Sequence, residues 1–173
     1  MISLRPISLS DLGFINELSK DYSHHRGEWI SPDDSRTFVR EASAEIEQQG
    51  QGWFIITSGE TSIGVLRIVA SHVMDDAMEI DFAVAESQRG RGYAPDAVIA
   101  AMQMFGKQGR RFVIRVDKEN SACVRVAEKC QFTQSAMEEG AIDYGKGPKG
   151  TLLVFERVSV WTEAYDPGSR SGS

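Results

Sequence analysis

The chain has 173 residues, of which 41% are hydrophobic and 25% are charged, and this composition is that of a globular domain rather than of a disordered or fibrous chain. Its formal net charge of −6 disfavours nucleic acid as the main partner, because phosphate binding requires a basic surface, whereas an amine ligand is compatible with it. No run approaches the roughly 18 apolar residues of a membrane helix, and the opening MISLRPISLSDL lacks the apolar core of a signal peptide, so we expect a cytoplasmic protein without a membrane partner.

The first third of the chain has the pattern of one strand followed by two helices. Apolar and polar residues alternate in the opening ISLRPIS, which predicts a short strand, and Ser10 is placed to cap the helix that follows. The segment Ser31-Pro32-Asp33-Asp34 supplies a cap, a proline and acids for the first turn of a second helix, and Gly50 ends that helix.

From Trp53 onward the apolar period changes to that of strands. WFIIT, SIGVLRIVA and MEIDFAVA are separated by polar connections and predict three consecutive antiparallel strands. A helix, the strand RFVIRV, a second helix, a strand around Phe132–Ser135 and the strand TLLVFERVSV follow. Because a helix joins the fourth and fifth strands, that pair is predicted to be parallel. The sequence therefore predicts one mixed α/β domain over residues 1–163 and a disordered polar tail over 164–173.

The stretch QRGRGYAPDAV, residues 88–98, lies where the fourth strand gives way to a helix. Gly90 and Gly92 allow the backbone to pass close to a ligand, and Arg89 and Arg91 add positive charge beside the unpaired N–H groups of the helix N-terminus. Such a turn suits a diphosphate, although a ligand-free turn between a strand and a helix uses the same residue types. The segment is not a Walker loop, which needs Gly-Lys-Ser/Thr, nor a Rossmann fingerprint, which follows the first strand of repeating βα units.

The two cysteines, Cys123 and Cys130, are seven residues apart on one predicted helix. At 1.5 Å per residue their Cα atoms are about 10 Å apart, beyond the roughly 6.8 Å that a disulfide tolerates. We therefore expect free thiols, in keeping with a reducing compartment.

Two segments, RGRGYA at 89–94 and ENSACVRVAEKCQF at 119–132, stand in the order and spacing of two motifs of a known family. They resemble the R/Q-x-x-G-x-G/A loop and the N-x-x-S-x-R-V-A-E-K-L-G-F segment of the RimJ/RimL-like branch of the GNAT superfamily, the acetyl-CoA-dependent N-acetyltransferases. The resemblance covers residues 2–158. It implies a GNAT-type single domain with a mostly antiparallel twisted sheet, flanking helices and a parallel fourth and fifth strand that splay apart.

The resemblance implies that acetyl-CoA is the cofactor and enters the gap between those two strands. Backbone groups of the fourth strand would pair with the pantetheine arm and polarise the thioester carbonyl, while the glycine loop would hold the diphosphate. Asn120 would contact the cofactor from the opposite wall. The predicted cofactor-binding residues are Phe82, Ala83, Val84, Arg89, Gly90, Arg91, Gly92, Tyr93, Ala94 and Asn120.

The acceptor amine must lose a proton before it can attack. A lysine-like amine with a pKa of about 10.4 is neutral only about 4 times in 10,000 at pH 7, and a carboxylate can remove the proton. By resemblance Glu79 is the base. Asp81 points to the same strand face and shares the role or binds the cation. An ordinary solvated strand face is the alternative for both acids.

The departing thiolate of CoA needs a proton, which many members of the family supply from a tyrosine. Ala127 stands at that position here, so Cys123, Tyr93, Tyr144 or water must substitute. Cys123 is the first candidate by position, and a small hydrophobic core residue is its alternative role.

The loop between the first two helices contains His24, His25 and Trp29 and, by resemblance, forms part of the acceptor pocket. Adjacent histidines without further ligands do not make a metal site, so no metal is expected. The predicted function is transfer of the acetyl group of acetyl-CoA directly to a primary amine of a small molecule or of a protein N-terminus. The alternative is a catalytically inactive acyl-CoA-binding sensor or interaction module, which the missing tyrosine and Gln131, in place of the family's glycine, favour modestly. A homodimer is compatible with either function.

Overall fold

The computed structural model describes residues 1–22 and 34–159. Within these ranges the predicted mixed α/β fold is confirmed, with seven strands in one sheet and four α-helices. In chain order the elements are β1 (Ile2–Pro6), α1 (Leu12–Asp21), α2 (Ser35–Gln49), β2 (Gly52–Ser58), β3 (Thr61–Ala70), β4 (Ala77–Val84), α3 (Tyr93–Phe105), β5 (Arg111–Asp117), α4 (Ser121–Lys129), β6 (Thr133–Ile142) and β7 (Gly150–Val158).

The strands lie in the order β1-β2-β3-β4-β5-β7-β6. All neighbouring pairs are antiparallel except β4 and β5, which are parallel as the helical connection through α3 predicts. The first four strands thus form a meander, and the last three form a second antiparallel group. The parallel pair joins the two groups in the middle of the sheet.

The parallel pair separates soon after it begins. Ladder pairing between β4 and β5 joins only Ala77–Glu79 to Arg111–Val113, although β4 continues to Val84 and β5 to Asp117. On its other side β4 stays paired with β3 as far as Val84. A gap therefore opens in the sheet between the second halves of β4 and β5.

Helices cover both faces of the sheet. Helices α3 and α4 pack on one face around a core that includes Ile80 and Val84, and α1 and α2 pack on the other face around Ile55, Val65 and Ala83. Side chains alternate along a strand, so Glu79 and Asp81 share the α1/α2 face with Ala83. Burying each large apolar side chain contributes about 1.5–3 kcal/mol, and these two cores fix the strands on either side of the gap.

The helix ends agree only in part with the sequence predictions. Gly50 ends α2 as predicted, with φ of 67° and its N–H donating to the carbonyl of Ile46 at 2.9 Å. The prediction of Ser10 as the cap of α1 is wrong, because a 3-10 turn already starts after Ser8 and runs into α1. The carboxylate of Asp11 stabilises that turn by accepting the Ser8 N–H at 2.9 Å. Of the predicted start of α2, residues 31–33 lie outside the described residues, and Asp34, predicted to lie in the first turn, is instead the N-cap residue.

Strand β6 is longer than the sequence predicted, since it continues past Ser135 to Ile142. It is the edge strand, its side chains are almost all exposed, and its pairing with β7 shifts register twice. An exposed strand with bulges has no alternation of apolar residues, which explains the missed length. The predicted tail at 164–173 lies outside the described residues. Among the described helices none is long and apolar enough to cross a membrane.

Candidate active site

Two adjoining cavities occupy the gap between β4 and β5. The loop cavity, of about 960 Å³, is lined by the turn before α3, by the start of α4 and by Tyr22. The strand cavity, of about 500 Å³, is lined by side chains of β2, β3, β4 and β5 and by Phe38 of α2. Four residues line both cavities and connect them: Phe82, Asp117, Asn120 and Cys123.

The turn at residues 88–94 needs its glycines for their backbone conformation. Gly90 has φ of +75° and Gly92 has φ of +79°, in the left-handed region that strains other residues, and nothing lies within 4 Å of where a Cβ would stand. Gly92 occupies the N-cap position of α3, so the first N–H groups of that helix face the loop cavity. The turn therefore presents bare backbone donors to the cavity.

Nine of the ten predicted cofactor-binding residues line one or both cavities. Arg91 is the exception, since it is exposed and lines neither. The nine are Phe82, Ala83, Val84, Arg89, Gly90, Gly92, Tyr93, Ala94 and Asn120.

The C-terminal end of α1 is attached to the end of β4. The hydroxyl of Tyr22 donates to the carbonyl of Val84 at 2.8 Å, and Nε of Arg89 donates to the same oxygen at 3.2 Å. The Arg89 guanidinium lies 5.0 Å from the centroid of the Tyr22 ring, and the Asp21 carboxylate accepts the N–H of Glu86 at 2.8 Å. These contacts hold α1 against the start of the glycine turn. Asp21 was not identified from the sequence, because it is far along the chain from its partner.

The backbone of β4 presents alternate peptide groups to the gap. The N–H of Ala85 donates to the carbonyl of Ile63, which makes Val84 and Gly64 a non-hydrogen-bonded pair in the ladder. By alternation the peptide groups of Phe82 and Val84 point away from β3 and into the gap, whereas those of Ala83 pair with β3.

The two predicted acids differ in their surroundings. Asp81 lines the strand cavity, whereas Glu79 lines neither cavity and its Oε1 accepts the hydroxyl of Ser71 at 3.2 Å. Asp81 is exposed to solvent, yet the protein atoms around it disfavour its charge. Burial raises the pKa of Asp81 above its ordinary value; Arg67 and Arg115 oppose this rise and the Glu79 carboxylate adds to it.

The start of α4 brings Asn120 and Cys123 to the junction of the two cavities. Oδ1 of Asn120 accepts the N–H of Cys123 at 3.1 Å and so caps the helix. Burial raises the pKa of the Cys123 thiol, with Asn120 and Arg89 opposing the rise, so the thiol is protonated at neutral pH. Both cysteines are free, as expected. Ala127 is fully buried in the core and offers no proton donor.

The strand cavity has an aromatic wall and two arginines that were not singled out in the sequence. The rings of Phe38 and Trp53 meet edge to face with centroids 5.2 Å apart, and the guanidinium of Arg67 lies 5.9 Å from the Trp53 ring centroid. Arg115 pairs with Glu138 at 2.7 Å. The available signal was an arginine within each of two apolar strands, Arg67 in SIGVLRIVA and Arg115 in RFVIRV.

The remaining predictions concern the acceptor loop and metals. His24, His25 and Trp29 lie outside the described residues, so their predicted role in the acceptor pocket stays a prediction. No group of three or more metal-ligating side chains occurs within residues 1–22 and 34–159.

Comparison with known proteins agrees with this geometry. The family model for the acetyltransferase (GNAT) domain matches residues 2–133, whereas the comparison with curated proteins gave no match. Among solved structures, the microcin C7 self-immunity acetyltransferase MccE in complex with acetyl-CoA and AMP superposes with a TM-score of 0.79 and 18% identity, over 91% of this chain and 92% of that chain.

Two further structures share the fold. The ribosomal L7/L12 α-N-protein acetyltransferase RimL in complex with CoA has a TM-score of 0.78 and 22% identity, over 91% of this chain and 93% of that one. Spermidine N-acetyltransferase from Vibrio cholerae in complex with CoA and spermine has a TM-score of 0.72 and 17% identity, over 91% and 95% of the two chains. All three complexes contain acetyl-CoA or CoA, in agreement with the predicted cofactor. Assignment to the RimJ/RimL-like branch stays a prediction. Because the family model extends from β1 to the start of β6 and thus includes both sides of the gap, the chain belongs to the GNAT acetyltransferase family.

Proposed function

We propose that the chain is an N-acetyltransferase that moves the acetyl group of acetyl-CoA directly to a primary amine. The observation that supports this most is the separation of β4 from β5 after Glu79 and Val113, which leaves a glycine turn at one end of a cleft and a carboxylate at the other. A cytoplasmic setting, expected from the free cysteines, is part of the proposal.

The residues of the loop cavity fit a diphosphate and a pantetheine arm. The amides of the glycine turn, the N-terminal end of α3 and the guanidinium of Arg89 supply donors and positive charge for the diphosphate. Farther into the gap, the N–H and carbonyl of Phe82 and the N–H of Val84 are oriented to pair with the amides of the arm, whereas the Val84 carbonyl already accepts Tyr22 and Arg89. When bound there, acetyl-CoA supplies the activated acetyl thioester.

We assign the proton acceptor for the amine to Asp81. It lines the strand cavity, and its raised pKa makes it a stronger base than an ordinary aspartate. It must offset the cost of deprotonating a lysine-like amine at pH 7, which is about 4.6 kcal/mol. Glu79, the base predicted by resemblance, lies on the same face of β4 as Asp81, and its carboxylate accepts the Ser71 hydroxyl. In this proposal the negative charge of Glu79 helps to raise the pKa of Asp81.

Cys123 is proposed to return a proton to the departing thiolate. It lines both cavities at their junction, and its raised pKa keeps the thiol protonated until it is needed. Tyr93 and Tyr144 also line the loop cavity and are the alternatives. The hydroxyl of Tyr144 already donates to Asp117, which leaves Cys123 the better placed group.

The test combines calorimetric titration of acetyl-CoA with an assay of thiol release across a panel of amines. The proposal requires saturable binding of acetyl-CoA and release of CoA that depends on an added amine. Binding without release for every amine in the panel would instead favour the inactive binding module. The panel includes small amines, polyamines and peptides with free N-termini, because the solved relatives are named for spermidine and for a ribosomal protein.

A further inference from the structure

A row of side chains crosses the sheet at the strand cavity. The strand register places Trp53 of β2 opposite Arg67 of β3, and Arg67 opposite Asp81 of β4. Directly opposite residues of neighbouring strands point to the same face of the sheet. The row therefore runs from an aromatic ring through a cation to the proposed base.

Arg115 continues this row on the far side of the gap. In β5, Ile114 and Val116 belong to the core under α3 and α4, so by alternation Arg115 points to the opposite face, where Asp81 lies. Arg115 and Asp81 both line the strand cavity. The carboxylate thus has a guanidinium on each side.

The N–H donors of the Arg67 side chain are not used in hydrogen bonds to the described residues. Its one ion pair among the described residues is with Glu45 at 3.9 Å, and its side chain donates no hydrogen bond to any residue within 1–22 or 34–159. A guanidinium has five N–H donors, so most of them remain available to a molecule in the cavity. Arg115 is less free, because it already donates to Glu138 at 2.7 Å.

The two acids of the described lining, Asp81 and Asp117, equal these two cations in number, but neither acid forms an ion pair with Arg67 or Arg115. Besides Asp81, the described part of the lining contains one acid, Asp117, which accepts hydrogen bonds from the Tyr144 hydroxyl and from the N–H of Glu119. An acceptor with a second cation would bring that charge against Arg67, which is unfavourable. An acceptor with an anion would satisfy the guanidinium.

The anion must lie close to the amine. Arg67 and Asp81 form a hydrogen-bonded pair in the ladder, for which the Cα atoms are about 5.5 Å apart. An amine at Asp81 and an anion at Arg67 therefore fit on one small molecule. The cavity of about 500 Å³ has the size of a small-molecule site, and the rings of Phe38 and Trp53 offer an apolar wall for a side chain.

We propose that the acceptor is a small amino acid whose carboxylate is bound by Arg67, with Arg115 as a second cation beside it, while its amine faces Asp81. This inference rests on the proposed function, since it names the class of acceptor for the same cavity. The transfer breaks the bond between the acetyl carbon and the sulfur of CoA and forms an amide at the amino nitrogen. Of the two protons that the protonated amine loses, one stays on Asp81 and the other restores Cys123, whose own proton goes to the CoA thiolate.

The test is thiol-release kinetics with pairs of amino acids and their carboxamides, in which a neutral amide replaces the carboxylate next to the amine, and each variant is compared with the wild type on the same acceptor. With the wild-type protein we expect turnover of amino acids. Because loss of the Arg67 charge raises the pKa of Asp81 further, the kinetics are measured at a pH above that pKa, where the base is ionised in both proteins. There Arg67→Met should lower kcat/KM for the amino acids about 10- to 100-fold and leave kcat/KM for the carboxamides within about twofold. Arg67→Lys keeps the charge but not the paired donors and should recover part of the loss.

Two controls accompany these variants. Arg111→Met removes an arginine at the start of β5 that pairs with Glu156 and lines neither cavity. This variant should leave kcat/KM unchanged for both acceptor classes. Thermal unfolding and titration of acetyl-CoA show whether each variant is folded and binds the cofactor.

The outcomes separate the two proposals. Preference for polyamines, for carboxamides or for peptide N-termini, with no effect of Arg67→Met on acceptor choice, would overturn this inference while the acetyltransferase proposal stands. Binding of acetyl-CoA without CoA release for any acceptor would overturn both.

Discussion

The loop cavity and the strand cavity share four residues, yet they are built from different parts of the chain. The loop cavity presents mainly backbone groups, held by the left-handed glycines at 90 and 92 and by the start of α3. The strand cavity presents the side chains of Arg67, Asp81 and Arg115, which come from three strands. A backbone site accepts a ligand common to a whole family, whereas a side-chain site can change with each acceptor without disturbing the fold.

Asp81→Asn is expected to have the largest effect, and this effect should be confined to the strand cavity. Loss of the base should lower turnover about 100- to 10,000-fold and leave the affinity for acetyl-CoA unchanged. Because burial disfavours the charge of Asp81, the neutral side chain should not destabilise the fold. Steady-state kinetics and calorimetric titration measure the two properties separately.

The pH dependence provides the control for that variant. Only the ionised carboxylate can accept a proton, so wild-type kcat/KM should rise with pH through the pKa of Asp81, which burial places above its ordinary value. This acidic limb should disappear in Asp81→Asn and persist in Glu79→Gln. If the limb and the turnover instead disappear in Glu79→Gln alone, Glu79 is the base.

Gly64→Ala in β3 is expected to disturb the loop cavity by displacing the neighbouring strand β4. An added Cβ would collide with the carbonyl oxygen of Ala83 and come within 3.1 Å of the Cα of Val84. The resulting shift of β4 should cost about 1–3 kcal/mol of unfolding free energy and weaken acetyl-CoA binding. Gly13→Ala in α1, where nothing lies within 4 Å of the new Cβ, is the matched control and should be neutral or stabilising in chemical denaturation. Unchanged cofactor affinity in Gly64→Ala would show that β4 does not position the cofactor.

Gly90→Ala tests the glycine turn, and Gly109→Ala, at a glycine of the same conformation outside the turn, is its control. Gly90 has φ of +75° and Gly109, outside both cavities, has φ of +76°, and neither has an atom within 4 Å of a new Cβ. Both alanine variants should lose about 1–2 kcal/mol of stability through the same strain. Only Gly90→Ala should also weaken acetyl-CoA binding, by about tenfold or 1.4 kcal/mol, because the new Cβ would stand where we propose that the diphosphate binds. Equal affinities in the two variants would contradict the assignment of the turn.

The smallest effect, on stability alone, is expected for Gln131→Gly at the end of α4. Gln131 has φ of 61° and donates its N–H to the carbonyl of Glu128 at 2.9 Å, so it adopts the conformation that the family's glycine would favour. Glycine should raise the unfolding free energy by up to about 1 kcal/mol and leave cofactor affinity and turnover unchanged. A change in either activity would mean that α4 is coupled to the cavities through its C-terminal end as well.

The same contrast explains which features could be predicted from the sequence. The glycine turn and the start of α4 are contiguous segments, so their residues could be assigned before any contact was known. Arg67 and Arg115 could not, because only strand register and the separation of β4 from β5 bring them to Asp81. Alternation placed Asp81 and Glu79 on one face, but which of them lines a cavity depends on where the gap opens.

The most direct test of the account is a crystal structure of the protein with bound acetyl-CoA. We predict the diphosphate against the amides of residues 89–94 and the pantetheine arm between β4 and β5, paired with the peptide groups of Phe82 and with the N–H of Val84. A cofactor bound elsewhere, or strands β4 and β5 closed against each other in the complex, would contradict it.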